Sequence, residues 1–199
     1  MKNFLLPLAF IFSLSLAAQD QQVKPQLLKE PADWSFERFE LPPSFAPGFP
    51  YKGAEELRFS PGMFKKDSAT YFTYAFVAEL DNTVSISQNN ISDYLLNYFR
   101  GLCSVTAKDR KLVIDTTKIS VSVEKKKGTP GNETIYNASL NVFGVFTDGA
   151  PVKLNAEVKV LMKDAAKKAY LVFIISPREK THAIWKRLYT IQKDFTTPI

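Results

Sequence analysis

Apolar and polar residues alternate with a period of two in four blocks of the chain, the pattern expected of β-strands with one buried face. These blocks cover residues 70–80, 119–124, 136–142 and 152–162. A fifth block, residues 170–175, is continuously apolar, which is typical of a strand buried on both faces. The pattern therefore predicts five strands, and the last four follow one another as a meander.

Two other segments repeat their apolar residues at helical spacing instead. The first follows Asn90, a candidate N-cap, and the second follows Thr181, another candidate cap. The apolar stripe of the first helix contains Ile91, Tyr94, Leu95, Tyr98, Phe99 and Leu102. The stripe of the second contains Ile184, Trp185, Leu188, Ile191 and Phe195. Because exposed sheet faces need a cover, both helices are predicted to pack on the sheet.

The order strand, helix, four-strand meander, helix predicts an α+β domain with a mainly antiparallel sheet and helices packed on it. The closing apolar strand at 170–176 and the amphipathic helix ending at Phe195 resemble the layout of the Mog1/PsbP-like sandwich. Bet v 1-like folds also end on a helix after a series of strands. A shared layout implies a fold and carries no function.

The beginning of the chain has the composition of a secretory signal peptide. Lys2 supplies a positive start, residues 4–16 are almost wholly apolar, and Ala17 and Ala18 are small residues suited to cleavage. The alternative is a permanent membrane anchor, but a spanning helix needs about 20 apolar residues. We therefore expect residues 1–18 to be removed. The mature protein is then exported, periplasmic or secreted, with no transmembrane anchor.

Proline is concentrated in the segment that follows. Seven of the twelve prolines fall between Pro25 and Pro61. We interpret residues 19–68 as a Pro-rich extended arm and residues 69–199 as the α+β domain. Three aromatic residues of the arm, Phe45, Phe49 and Tyr51, form a candidate binding surface. Apolar side chains recur within residues 34–41 and are enough for a short strand or a tethered arm. The remaining arm is expected to wrap over the domain, with a ligand-contacting loop as the alternative.

Four short segments of the mature chain resemble a family of uncharacterised exported bacterial proteins. They are ELPP at 40–43, EELRFSPGMF at 55–64, YFTYAF at 71–76 and YFRGLC at 98–103. The resemblance covers the first half of the mature chain. It implies an exported bacterial domain and attaches no activity, cofactor or substrate.

The scarcity of histidine and cysteine narrows the possible chemistry. His182 is the only histidine, so histidine-rich metal sites cannot be built. Cys103 is the only cysteine, which excludes an intramolecular disulfide and favours a small buried apolar residue. A Cys103–His182 dyad is the remaining alternative for these two residues. We predict no metal and no cofactor, and we favour a protein without enzymatic activity.

The net charge of +6 is too modest and dispersed to predict nucleic-acid binding.

In a meander, alternate connections lie at the same end of the sheet, and two of them are rich in lysine. The resulting basic loop end contains Lys125, Lys126, Lys127, Lys163, Lys167 and Lys168. Such a surface could bind an anionic glycan, a lipid head group or an acidic protein partner. The alternative is that these lysines only solvate the turns and protect sheet edges.

The function best supported by the sequence is a non-enzymatic binding or interaction module. One alternative is a carrier that holds a small apolar ligand between sheet and helix. Its candidate contacts are Phe72, Tyr74, Phe76 and Leu140. Another alternative is a hydrolase, since Glu55, Glu56 and Asp164 offer carboxylates. That chemistry would require buried carboxylates that converge and have raised pKa values.

Overall fold

Seven antiparallel strands form one sheet in the computed structural model, which describes residues 27–83, 85–127 and 134–197. The strands are β1 Ser35–Leu41, β2 Gly53–Phe59, β3 Tyr74–Leu80, β4 Ser120–Lys125, β5 Thr134–Phe143, β6 Pro151–Lys163 and β7 Lys168–Ser176. Two α-helices accompany them, α1 Gln88–Asp109 and α2 Ile184–Asp194. The spatial order is β1-β2-β3-β7-β6-β5-β4. The α+β class with an antiparallel sheet is confirmed.

The predicted meander is present as β4, β5, β6 and β7, with β3 paired to β7 at the centre of the sheet. The prediction that β7 is buried on both faces is confirmed. By contrast, β3 was expected to have only one buried face, yet Ala75 and Val77 on its second face are fully buried. The reason is that α2 packs against this second face.

The proline-rich segment contributes more than an extended covering. Its residues 35–41 and 53–59 are β1 and β2, and β2 pairs with β3 along its whole length. The predicted boundary between residues 68 and 69 therefore separates strands that are hydrogen-bonded neighbours. Strand β2 shows no apolar alternation in the sequence because Glu55, Glu56 and Arg58 interrupt it, although all three side chains are buried.

Each helix covers a different face of the sheet. The face under α1, here called the α1 face, carries the larger core, which includes Leu57, Phe76, Leu140, Leu154 and Phe173. The opposite face, the α2 face, carries a smaller core. Its members include Trp34, Val77, Val172, Trp185 and Leu188. The molecule is thus a three-layer arrangement with the sheet in the middle.

The two predicted helix caps are both wrong in detail. Helix α1 is capped by Ser87, whose side chain accepts a hydrogen bond from the Asn90 backbone N–H at 3.2 Å. Asn90 accepts in return from the Ser87 backbone N–H at 2.9 Å, which completes a reciprocal capping box. Helix α2 follows Ala183, with no side-chain cap, so Thr181 does not start it.

The predicted signal peptide, residues 1–18, lies outside the described residues. Neither of the α-helices within the described ranges is long and apolar enough to cross a membrane.

Candidate functional site

A cavity of about 200 Å³ lies on the α1 face, between β1, β2, β3 and the helix. Eight of its twelve lining residues are aromatic: Phe39, Phe45, Phe59, Phe64, Phe72, Tyr74, Tyr98 and Phe146. The other four are Glu37, Leu57, Met63 and Leu102. We call this space the aromatic cavity. Phe64 is 51% exposed and therefore places one wall at the protein surface.

The rings of the aromatic cavity contact one another in two groups. In the larger group, the Phe64 ring lies 5.8 Å from Phe59 and 5.3 Å from Phe146, measured between centroids. Phe146 is in turn 5.8 Å from Phe72. Most of these pairs are tilted or edge-to-face, the arrangements that ring quadrupoles favour. These ring–ring contacts hold the side chains of the cavity wall against one another, so the cavity has a defined shape.

The second group of rings comes from β1, from the loop after it and from α1. Phe45 lies 5.0 Å from Tyr98 and 6.1 Å from Phe39, again between centroids. Gly101 allows this approach, because a Cβ at that position would lie only 2.4 Å from the Phe45 carbonyl oxygen. A glycine on α1 thus permits the loop to pack directly against the helix backbone.

A buried carboxyl group lies beside the aromatic cavity, on the same face of β2. Glu55 is fully buried, and the Tyr94 hydroxyl donates a hydrogen bond to its Oε2 at 2.6 Å. Its Oε1 has no hydrogen-bond partner among the described residues. Burial raises the pKa of Glu55 to about 8, more than the Tyr94 and Tyr98 hydroxyls lower it. Glu55 is therefore protonated at neutral pH.

A second carboxyl group, Glu37, lines the aromatic cavity itself. It is partly exposed on β1 and opposite Leu57 of β2, which makes it a diagonal neighbour of Glu55 on the α1 face. Partial burial raises the pKa of Glu37. Its charge also contributes to raising the pKa of Glu55. Two carboxyl groups thus converge here, one at the cavity wall and one behind it.

The aromatic residues of the predicted arm are divided between this site and the core. Phe45 lines the aromatic cavity. Phe49 is buried, with its ring 4.5 Å from that of Tyr94, and Tyr51 lies half-buried 5.4 Å from Phe49. Phe49 and Tyr51 therefore support Tyr94, the residue that holds Glu55. That Phe45, Phe49 and Tyr51 contact a ligand remains a prediction.

The structure places the predicted basic residues at one end of the sheet, where β4 ends and where β6 connects to β7. Their charges are partly compensated there. Lys126 Nζ lies 3.2 Å from Glu157 Oε2, and Lys168 Nζ lies 2.5 Å from Glu79 Oε1 and 3.2 Å from Asp81 Oδ1. The other members of this basic loop end are Lys125, Lys127, Lys163 and Lys167, and Lys163 lies opposite Lys168 in the ladder. Binding of an anionic partner at this end remains a prediction.

The four residues that the carrier hypothesis predicts to contact a ligand are also divided between the aromatic cavity and the core. Phe72 and Tyr74 line the aromatic cavity, whereas Phe76 and Leu140 are fully buried in the core of the α1 face. Sequence periodicity identified the buried face correctly, because alternation reports which side of a strand is apolar. It could not reveal where packing on that face leaves space.

The Cys103–His182 dyad is excluded by the layers of the fold. Cys103 is buried in the core of the α1 face, and burial raises the pKa of its thiol to about 11. His182 belongs to the turn before α2, where its Nδ1 accepts a hydrogen bond from the Ile184 N–H. The sheet separates the two residues. No group of three or more His, Cys, Asp or Glu side chains suited to a metal ion occurs within the described ranges.

Sequence reasoning missed the pairing of Glu37 with Glu55. Glu55 was noticed only as one of two adjacent carboxylates, and Glu37 was not singled out. The available signal was the spacing within each strand, since residues 37 and 55 both project to the α1 face once β1 and β2 pair. That signal requires the register, which a single sequence does not contain.

Comparisons of the chain with protein-family models, with curated proteins and with solved structures find no significant match. The resemblances to exported bacterial proteins and to Mog1/PsbP-like sandwiches therefore remain predictions, and the site has to be interpreted from its own chemistry.

Proposed function

We propose that this protein is a non-enzymatic binding domain that holds a small, mainly apolar ligand in the aromatic cavity. The observation that carries the proposal is a space of about 200 Å³ under α1, with eight aromatic side chains in its wall. The export signal expected at residues 1–18 would place this domain in the periplasm or outside the cell.

The size and composition of the cavity support ligand binding. An apolar cavity of about 150 Å³ is enough to bind benzene. Ligand sites combine an apolar lining with a few polar groups, and here Glu37 and the hydroxyl-bearing Tyr74 and Tyr98 supply them.

The hydrolase alternative receives less support, although two carboxyl groups with raised pKa values are present. A general acid or base must come within hydrogen-bond reach of the reacting group. Glu37 lines the aromatic cavity, whereas Glu55 lies outside the lining and its Oε2 accepts from Tyr94. A substrate in the cavity would therefore meet one carboxyl group only. This arrangement favours binding over acid–base catalysis.

The aromatic cavity can be filled without changing the sheet. In Leu102→Trp, the larger ring replaces a lining side chain of α1. Leu96→Trp is the matched control, since Leu96 lies on the same helix and packs against the core without lining the cavity. Toluene serves as the apolar probe, and saturation-transfer NMR with isothermal titration calorimetry measures its binding. Circular dichroism verifies that all three proteins are folded.

We expect toluene to bind the wild type and Leu96→Trp, and to bind Leu102→Trp at least tenfold more weakly. Failure of the wild type to bind toluene would overturn the proposal. Equal binding by Leu102→Trp would also overturn it, because the probe would then occupy another part of the surface.

A further inference from the structure

We propose that the ligand of the aromatic cavity is a small organic cation, whose ammonium group is held by aromatic ring faces and by the Glu37 carboxylate. This inference rests on the proposed function and names the chemical class of its ligand.

The walls of the cavity favour positive charge over a neutral group of the same shape. Each aromatic ring has a negative face, and a cation within about 6 Å of a ring centroid is attracted to it. Phe64, Phe59, Phe72 and Phe146 surround one side of the cavity, with neighbouring centroids 5.3 to 5.8 Å apart. Cages of aromatic rings are the usual protein sites for quaternary ammonium and methylated ammonium groups.

The only charged residue in the described lining is acidic. Glu37 is that residue, and Lys, Arg and His do not occur among the twelve lining positions. This composition contrasts with the chain as a whole, which carries a net charge of +6. The aromatic cavity is thus a locally negative site on a positive protein. A carboxylate ligand would meet Glu37 with repulsion and no compensating cation in the wall.

The buried neighbour of Glu37 supports the same ligand class. Glu55 and Glu37 share the α1 face of adjacent strands, and their mutual repulsion contributes to the raised pKa of Glu55. A cation in the aromatic cavity would meet Glu37, with Glu55 behind it, and its charge would act against the raised pKa of Glu55. The Tyr94 hydroxyl donates to its Oε2, whereas its Oε1 has no hydrogen-bond partner among the described residues.

Choline and 3,3-dimethylbutan-1-ol provide a matched pair of probes, because they share shape and differ in the charge of one atom. Binding of both is measured by titration calorimetry and by saturation-transfer NMR on the full-length chain. Two variants accompany the wild type. Glu37→Gln removes the carboxylate of the lining while keeping its size. Glu40→Gln is the control, since Glu40 lies on the same strand, faces the other way and is 80% exposed.

We expect wild type and Glu40→Gln to bind choline about 10-fold or more tightly than the neutral alcohol, and Glu37→Gln to lose most of that preference. Equal or tighter binding of the alcohol would overturn the cation assignment while leaving the cavity a ligand site. An unchanged preference in Glu37→Gln would overturn the role of Glu37. Absence of binding by both probes would overturn this inference, whereas toluene binding decides the proposed function separately.

Discussion

Two neighbouring glutamates of β2 are buried on opposite faces of the sheet in very different environments. On the α2 face, Glu56 Oε2 accepts from the Leu27 and Leu28 backbone N–H groups, each at 2.8 Å. Its Oε1 accepts from Arg38 at 2.6 Å. On the α1 face, Glu55 has one tyrosine hydroxyl on Oε2, and Oε1 has no partner within the described part of the chain.

Glu56 is thus a carboxylate that holds the structure together, whereas Glu55 is one that the structure leaves uncompensated. Glu56 is ion-paired and hydrogen-bonded, and Arg58 beside it donates to the Leu28, Lys29 and Trp34 carbonyls. These polar contacts attach the segment before β1 to the sheet. Most buried polar groups in native proteins are satisfied, so an exception needs an explanation. Glu55 is such an exception, and it lies next to the aromatic cavity.

The largest effect should come from removing the compensated carboxylate. Glu56→Ala leaves Arg38, which is 19% exposed, and two backbone N–H groups without this acceptor. Breaking a buried ion pair in this way costs about 3–5 kcal/mol of the free energy of unfolding. Urea denaturation measures the loss. Glu40→Ala, which removes the exposed partner of Arg38, is the control and should change stability by less than about 0.5 kcal/mol. Equal losses would contradict the comparison.

Glu55 should instead make stability depend on pH. Its pKa is about 8 in the folded protein and lower in the unfolded chain, so the folded state holds the proton more tightly. This stabilisation is complete below the unfolded pKa and is lost as pH rises through the folded pKa. The free energy of unfolding should therefore fall by about 1.4 kcal/mol per pH unit between these two values.

Glu55→Gln cannot lose a proton and should lack this contribution. Urea denaturation of both proteins from pH 5 to pH 8 isolates it, because all other titrating groups are shared. Identical slopes in the wild type and the variant would show that Glu55 is not protonated in the folded state.

A smaller effect should appear at a third buried glutamate. Glu157 on the α2 face is compensated by Lys126 at 3.2 Å and Lys180 at 3.6 Å. Lys126→Glu places a like charge there and should cost about 1 kcal/mol, since the Lys126 side chain is partly solvated. Lys125→Glu at the exposed end of β4 should stay within about 0.5 kcal/mol of the wild type. Chemical denaturation at pH 7 distinguishes them, and equal changes would assign Lys126 no structural role.

The parts of the fold that depend on local pattern were predictable. Strands β4 to β7 and both helices follow from apolar spacing, because a half-buried strand or helix needs one apolar face regardless of its neighbours. Strand β2 was not predictable, since its buried Glu56 and Arg58 are stabilised by residues 18 to 30 positions away. In the sequence, a charged side chain that is buried because a distant residue pairs with it looks the same as a charged side chain on the surface.

The sequence by itself determined the α+β class, the meander, the aromatic content of the α1 face and the absence of an intramolecular disulfide. Only the tertiary structure decided that β1 and β2 extend the sheet, that Glu37 and Glu55 converge, and that eight rings enclose a cavity. The physical reason is that periodicity records which side of an element avoids water. Strand register and packing determine which side chains meet, and both depend on contacts between residues far apart in the chain.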